Sequence, residues 1–176
     1  MTHALRVAGL LALLTSLAAC ERADTDGPPA VYLGDSVCAL CNMIISDERW
    51  ATSTVVAGPR GPEPRLFDDF NCQVSYEAEH PELDIVDRWS HSHATREWIR
   101  TEEASFLMSP KLRTPMGSKA AAFATATEAE TARGELEGGV MDFEALWTRL
   151  DSPAPEPSGP DDELLPPNKE AEEDDS

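Results

Sequence analysis

The sequence predicts an α+β fold made of two small ββαβ units in tandem, over about residues 35–89 and 96–150. Short runs rich in Val, Thr and aromatic residues alternate with turns that contain Gly and Pro, which is the pattern of short antiparallel strands. Two segments carry helix start signals, and each is followed by another strand-like run. The order strand, strand, helix, strand therefore occurs twice, in a chain of 176 residues that suffices for one domain or two small ones.

The first unit contains a predicted hairpin, a helix and a third strand. Asp69 is placed to cap a helix over about residues 70–79, because its carboxylate can accept from the free N–H groups of the first turn. A polar loop with His91 and His93 follows the unit. The predicted strands, rich in β-branched and aromatic residues, cover residues 50–57, 64–67 and 83–89.

The second unit has the same kinds of signal. Residues 127–130, Thr-Glu-Ala-Glu, form a predicted capping box that opens a helix, and Gly138 and Gly139 end it. Asp142 is predicted to cap a last helix that ends near Leu150. The predicted short strands cover residues 97–100, 105–108, 121–124 and 140–141.

Residues 1–19 have the features of a bacterial signal peptide that ends at a cysteine. A basic residue, Arg6, precedes an apolar stretch too short to span a bilayer, and small residues precede Cys20. This arrangement resembles a lipobox, which implies cleavage before Cys20 and a diacylglycerol on its thiol; ordinary cleavage with a free thiol is the alternative. We therefore expect a lipid anchor on the extracytoplasmic side of the cell envelope. Since Glu21 rather than Asp follows Cys20, the outer membrane is favoured over the inner one in a Gram-negative cell.

The flanks of the predicted domain are polar, and the whole chain is acidic. Residues 20–34 form a predicted tether, and residues 151–176, rich in Pro, Glu and Asp, are predicted to be disordered. The chain has 33 acidic and 14 basic residues, which gives a net charge of −19. This charge argues against nucleic-acid binding and against direct adsorption to anionic lipids.

The stretch Cys38-Ala39-Leu40-Cys41-Asn42-Met43 carries two thiols and a thioether. Thiolate and thioether sulfur are soft donors that favour Cu(I), Zn(II) or iron–sulfur clusters over hard cations. Zinc usually takes Cys, His and carboxylate ligands, whereas Cu(I) accepts thioether sulfur, so the methionine favours Cu(I). On an extended strand, the two-residue spacing places Cys41 and Met43 on the same face. If Cys20 is lipidated, an odd number of cysteines remains, which fits metal binding better than a disulfide framework.

Other interpretations of these residues stay open at this point. Cys38 and Cys41 could form a redox pair for thiol–disulfide exchange, although such a pair normally lies in a βαβ context. A structural zinc module would combine them with Cys72 and a histidine. A structural disulfide would need an oxidising compartment, and Met43 could fill the core. Attachment of c-type haem requires His after the second Cys, where this chain has Asn42.

Several segments, taken in order, resemble the NosL family of periplasmic copper-chaperone lipoproteins that serve nitrous oxide reductase. The resemblance covers most of residues 17–147. Family members usually have Gly where this chain has Asn42, and Asn tolerates a left-handed backbone better than most residues. The matching segments are the lipobox at Cys20, Cys38-x-x-Cys41-x-Met43, the Phe-Asp-Asp-x-x-Cys pattern ending at Cys72, Phe106–Met108, the Pro115–Gly117 turn and Ala122–Thr125.

The resemblance implies a copper-binding domain over residues 35–150, with two ββαβ units similar to part of the organomercurial lyase fold. It implies Cu(I) as the bound metal, with Cys38, Cys41 and Met43 as the leading ligand candidates. Met116 is a further candidate, with simple packing as its alternative. The implied partners are a copper-accepting reductase and an ABC-type membrane assembly. Since the sequence shows no Gly-rich phosphate loop, serine elbow or paired acid–base set, we expect a binding and delivery protein rather than an enzyme.

Several further side chains are weaker candidates. Cys72 lies near the start of a predicted helix, where thiol pKa values are lowered, but such a residue is more often a small buried hydrophobe. Asp68 and Asp69 are predicted as turn and cap residues. The auxiliary ligand candidates are three histidines in predicted loops, where they are usually solvated: His80, His91 and His93.

Overall fold

A computed structural model describes residues 27–152, which form seven strands and three α-helices. The strands are β1 (Thr52–Gly58), β2 (Gly61–Phe67), β3 (Ile85–His91), β4 (Trp98–Arg100), β5 (Ser105–Met108), β6 (Ala120–Phe123) and β7 (Gly139–Met141). The helices are α1 (Phe70–Glu79), α2 (Ala126–Leu136) and α3 (Phe143–Asp151). The predicted signal peptide, Cys20, the first part of the tether and nearly all of the acidic tail lie outside the described residues. Within them, no helix is long and apolar enough to cross a membrane.

The structure confirms the predicted tandem of ββαβ units. In the first unit the strands lie in the order β2-β1-β3, and in the second they lie in the equivalent order β6-β5-β7. All of these pairings are antiparallel. The sequence places residues 97–100 in the second half, but β4 pairs with β3, with Ile99 opposite Ser90, and so extends the first sheet.

Local capping signals account for the helix starts. Asp69 caps α1 as predicted, since its Oδ1 accepts from the backbone N–H of Asn71 at 2.9 Å. Asp142 caps α3 in the same manner. The prediction for α2 is wrong by two residues: Thr125, not Thr127, is the N-cap, and it forms a capping box with Glu128. Thr125 has the extended backbone that an N-cap needs.

The second sheet is covered on both faces. Alternate residues of β5 and β6 point to opposite sides, so one face packs with Trp50 and α2 and the other packs with α1 and α3. The three alanines of β6 are fully buried, and their small side chains leave room for packing on either face. The core residues toward α2 are Leu107, Ala121, Phe123 and Ala129, and those toward α1 and α3 are Phe70, Phe106, Ala120, Ala122 and Leu146.

Polar contacts join the two units. The Glu77 carboxylate on α1 accepts from Arg88 of β3 at 2.8 Å and from the indole N–H of Trp147 on α3 at 3.3 Å. The guanidinium of Arg88 also lies over the rings of Phe143 and Trp147. Because α1 and β3 belong to the first unit and α3 follows the second, this network fixes the last helix against the first sheet.

Candidate metal centre

Residues 37–44 form a tight hairpin that carries both cysteines of the Cys-x-x-Cys pair. Val37 and Ile44 form an antiparallel bridge, and the backbone N–H of Cys38 donates to the carbonyl of Met43 at 2.9 Å. Asn42 has a φ of 61°, in the left-handed region that Asn tolerates. The expectation of an extended strand from Cys41 to Met43 is therefore wrong, because the chain reverses at Asn42.

The hairpin packs on the point where β2 leads into α1. The backbone N–H of Ala39 donates to the carbonyl of Leu66 at 2.8 Å. After β2, Asp68 forms the turn, Asp69 caps α1, and Cys72 lies in the first turn of that helix. This arrangement brings the β2–α1 junction beside two cysteines that lie about 30 residues earlier in the chain.

Four side chains converge at this junction. The ligand atoms of Cys38, Cys41, Asp68 and Cys72 all lie within 4.8 Å of one another. Two ligands at 2.3 Å from one ion can be at most about 4.6 Å apart, so a single metal ion fits the cluster with little adjustment. Cys38, Asp68 and Cys72 are buried, and Cys41, partly exposed, is the member nearest to solvent.

The surroundings give the three thiols different acidities. The pKa of Cys38 is lowered to about 6, first because Cys72 donates its S–H to the Cys38 sulfur. Backbone N–H groups of Leu40, Cys41 and Asp68 add to this effect, against the opposing effect of burial. The pKa of Cys72 is raised, because its proton bonds the Cys38 thiolate and because it is buried. Burial likewise raises the pKa of Cys41.

The raised pKa of Cys72 is the opposite of what its position near the start of a helix predicts. A helix start lowers the pKa of a nearby thiol, but the neighbouring Cys38 sulfur and burial outweigh that effect at Cys72. Cys41 in turn lies close to the Asp68 carboxylate, with its Sγ 3.6 and 3.7 Å from the two carboxylate oxygens. These surroundings therefore favour the thiolate form at Cys38 over Cys41 and Cys72, and metal binding favours deprotonation of every thiol that becomes a ligand.

The two methionines predicted as ligands, Met43 and Met116, occupy partly exposed positions in different segments. Met43 follows in the same hairpin and is 50% exposed, whereas Met116 comes from the loop between β5 and β6 and is 40% exposed. The backbone N–H of Met116 donates to Asp69 at 2.8 Å, and its carbonyl accepts from Asn71 at 2.9 Å. The turn that carries Met116 is thus hydrogen-bonded to Asp69 and Asn71 at the start of α1, the helix that carries Cys72.

The histidines are not members of this cluster in the described part of the chain. His91 lies at the end of β3 rather than in a loop; it is buried, stacks on Trp98, and its Nδ1 lies 2.9 Å from the Ala51 carbonyl. His93 packs between Trp50 and Phe123. Burial lowers the pKa of both imidazoles. The hydrogen-bonding and packing contacts of these two histidines account for their positions.

Sequence reasoning missed Asp68 and considered Cys72 as a ligand only within the zinc alternative. It treats Asp68 as a turn residue and Cys72 chiefly as a small hydrophobe, yet both converge with Cys38 and Cys41. The available signal is the Asp68-Asp69 pair at a helix start: one carboxylate suffices for the cap, so the second is free for another role. The four-residue spacing from Asp68 to Cys72 then places both at one end of α1.

Together, the fold and the cluster define a tandem ββαβ domain with a thiol-rich candidate metal centre beside the seam between its units. The NosL family model matches residues 29–150, so the chain belongs to the NosL family. In fold it is similar to the crystal structure of the copper chaperone NosL from Shewanella denitrificans, with a TM-score of 0.55 and 18% identity over 66% of this chain and 96% of that one. A search of curated protein sequences gives no match.

Proposed function

We propose that this protein is a Cu(I) chaperone that binds the ion at the thiol cluster and passes it to an extracytoplasmic copper protein. The observation that carries the proposal is the convergence of three cysteines and Asp68 within 4.8 Å, two of the sulfurs being buried. Soft thiolate donors favour Cu(I). Membership of the NosL family supports the same function, since the relative of similar fold is described as a copper chaperone.

The charge of the site favours a ligand set smaller than the whole cluster, completed by methionine. Four ionised ligands around one Cu(I) would leave a net charge of about −3 in a largely buried place, which is costly. Two thiolates and a neutral thioether would leave about −1. We therefore propose Cys38 and Cys41 as thiolate ligands, with Cys72 as hydrogen-bond donor or third ligand and with Met43 and Met116 as thioether donors.

The exposure of the site suits transfer to another protein. Cys38 and Cys72 lie at the buried side, whereas Cys41 and Met43 lie toward solvent, where a recipient's ligands could replace them one at a time. We propose a copper-accepting reductase as recipient, specifically nitrous oxide reductase, with an ABC-type membrane assembly as a docking partner. The lipid on Cys20 would hold the chaperone at the membrane where these partners work.

Competition for copper tests the central proposal. Anaerobic, reduced protein is titrated against a colorimetric Cu(I) chelator, and we expect it to take one equivalent with sub-nanomolar affinity. The variants Cys38→Ser and Cys41→Ser should each lose most of that affinity, whereas Ser36→Ala, in the same segment, should keep it. If the wild-type protein takes no copper from a stoichiometric amount of chelator, the proposal fails. A negative insulin-reduction assay would separate it from thiol–disulfide exchange.

Asp68 favours one alternative, a zinc site, because carboxylate oxygen with thiolate sulfur is a common zinc ligand set. The two metals respond to different substitutions. For a copper site, Met43→Leu should weaken Cu(I) binding by about tenfold, roughly 1.4 kcal/mol, and leave Zn(II) binding nearly unchanged. For a zinc site, Asp68→Asn should weaken Zn(II) binding, and stoichiometric zinc in anaerobically purified protein should resist displacement by Cu(I).

A further inference from the structure

The Asp69 carboxylate binds two different elements of the fold. Its Oδ1 accepts from the backbone N–H of Asn71 at 2.9 Å and so caps α1. Its Oδ2 accepts from the backbone N–H of Met116 at 2.8 Å and of Ser118 at 3.4 Å, both in the loop between β5 and β6. Asp69 is 1% exposed, and a carboxylate so buried requires such partners.

Capping alone does not account for this arrangement. Asp142 caps α3 with one oxygen, through the backbone N–H of Ala145 at 2.9 Å, and is exposed. Asp69 caps its helix with one oxygen and uses the other to bind a turn 47 residues later. Asn71 adds a second tie to the same turn, because its side-chain amide donates to the Met116 carbonyl at 2.9 Å. Both backbone polar groups of Met116, its N–H and its C=O, are therefore hydrogen-bonded to residues at the start of α1.

We propose that Asp69 is a positioning residue for the copper site: it holds Met116 of the second unit at the mouth of the cysteine cluster of the first. This inference rests on the proposed Cu(I) binding. Asp69 immediately follows the cluster residue Asp68 and lies three residues before Cys72, so the clamped turn lies against the chain segment that carries two members of the cluster. Neither Pro115 nor Gly117 gives that turn an apolar anchor, and Met116 itself is 40% exposed, so the hydrogen bonds fix its backbone.

The consequence is a preorganised backbone position for the residue that carries the thioether. A ligand held in place before the metal arrives loses little conformational entropy when it binds. A methionine on a turn without these hydrogen bonds would lose more conformational entropy when it bound the metal, and it would bind more weakly. The clamp also explains how a site can draw donors from both units: the sulfurs of Cys38, Cys41 and Cys72 come from one unit, and the Met116 turn is brought to them by Asp69.

Asp69→Asn tests the clamp with almost no change of shape. The amide can still accept from Asn71 through its oxygen, which retains the cap, but its NH₂ group then faces the N–H of Met116, and two donors cannot bond. If the amide turns the other way, the cap is lost instead. The matched control is Asp142→Asn, which removes the charge of a helix cap that contacts no other element.

The decisive measurement is a double-mutant cycle with Met116→Leu, using Cu(I) and Zn(II) competition. We expect Asp69→Asn to weaken Cu(I) binding by about tenfold in the wild-type background and by less than about twofold in the Met116→Leu background. Zn(II) binding should change by less than about twofold, since zinc rarely takes thioether. X-ray absorption of the copper-loaded variant should show one fewer sulfur ligand. Asp142→Asn should change none of these.

Equal losses of Cu(I) affinity in both backgrounds would overturn the proposal, because Asp69 would then act on the fold and not through Met116. Unchanged affinity in a folded Asp69→Ala variant, whose side chain can accept from neither Asn71 nor Met116, would overturn it as well. If this variant does not fold, Asn71→Asp tests the second hydrogen bond to the turn, because it places a carboxylate against the Met116 carbonyl. The new charge is favourable at the helix start, so the fold should be kept. The same loss of Cu(I) affinity is expected, and unchanged affinity would overturn the proposal. Absence of Cu(I) binding by the wild-type protein would instead refute the proposed function.

Discussion

Cys38, Cys41 and Cys72 differ in protonation because their neighbours differ. Cys38 receives the S–H of Cys72 and several backbone N–H groups, so its pKa falls to about 6 despite burial. Burial raises the pKa of Cys41 and outweighs the opposing effect of the Met43 backbone N–H. Of the three thiols, Cys38 is therefore the one whose surroundings most favour the thiolate form that a metal ion binds.

The buried histidines make the stability of the apoprotein depend on pH. Burial lowers the folded-state pKa of His91, although the hydrogen bond from its Nδ1 to the Ala51 carbonyl opposes this effect. As pH falls, this histidine therefore takes up a proton in the unfolded chain before it does so in the folded protein. The contribution of these histidines to the free energy of unfolding should be fully retained above about pH 6.5 and fall below it, by up to about 1.4 kcal/mol per pH unit for each histidine. His93, also lowered, adds to this dependence.

Urea unfolding between pH 7 and 5 measures this effect. The double variant His91→Asn, His93→Asn should show a much weaker dependence in that window, because Asn can replace the Nδ1 donor and does not titrate. Cys38, whose folded-state pKa is about 6, titrates in the same window in both proteins, so the difference between their two slopes measures the histidines. An identical slope for the variant and the wild-type protein would show that these histidines are not the cause.

At the scale of single residues, the sequence predicted the conformation or role of residues for which these depend only on near neighbours in the chain. The left-handed backbone at Asn42 and the cap at Asp69 follow from residue type and immediate neighbours. The membership of Asp68 and Cys72 in the cluster depends on a hairpin docking about 30 residues away, and no spacing in the sequence encodes that contact. Whether Met43 and Met116 coordinate copper stays a prediction.

The hairpin of residues 37–44 depends on the conformation of Asn42. A β-branched residue at a φ of 61° is strained by roughly 1–2 kcal/mol, whereas Gly adopts it freely. We expect Asn42→Gly to keep both stability and Cu(I) affinity, and Asn42→Val to lose about 1–2 kcal/mol of unfolding free energy. Asn42→Val should also weaken Cu(I) binding, since the turn sets the spacing of Cys38 and Cys41. Equal behaviour of the two variants in urea unfolding and copper competition would contradict this account.

Among the elements, helices were easier to predict than strand pairings. The capping residues Asp69 and Asp142 are local signals, and the one error, Thr127 in place of Thr125, arises because a second Thr stands two residues away. The residues of β4 were correctly predicted to form a strand, but not the sheet to which they belong. That choice depends on packing: the buried Ser90 hydroxyl hydrogen-bonds Thr101 at 2.7 Å and holds the segment after β4 to the first sheet.

Across the whole molecule, the Glu77 network is the main polar connection between the first sheet and α3. Glu77 is 8% exposed at its side chain and Arg88 is 20% exposed, so Glu77→Gln leaves a largely buried guanidinium with a weaker partner. We expect a loss of about 2 kcal/mol in unfolding free energy. The matched control Glu102→Gln removes the more exposed partner of Arg88 and should cost no more than about 0.5 kcal/mol.

Copper affinity should be unchanged in Glu77→Gln, because Glu77 lies in the last turn of α1 and the cysteine cluster at the first. Urea unfolding and chelator competition on the same sample separate the two properties. If Glu77→Gln weakens Cu(I) binding as much as Asp69→Asn is expected to, the site depends on the general docking of the units and not on the local clamp.

The last prediction concerns how the whole chain is held at the membrane. A chain of net charge −19 is repelled by anionic lipid, so we propose that the acyl group on Cys20 is the anchor. Replacing residues 1–19 with an ordinary cleavable signal peptide, together with Cys20→Ala, should move the protein to the soluble fraction and leave its Cu(I) affinity unchanged. Cys41→Ala with the native leader should stay with the membranes but bind copper poorly, which separates anchoring from metal binding. If the Cys20→Ala protein stays with membranes after a high-salt wash, something other than the lipid holds it there.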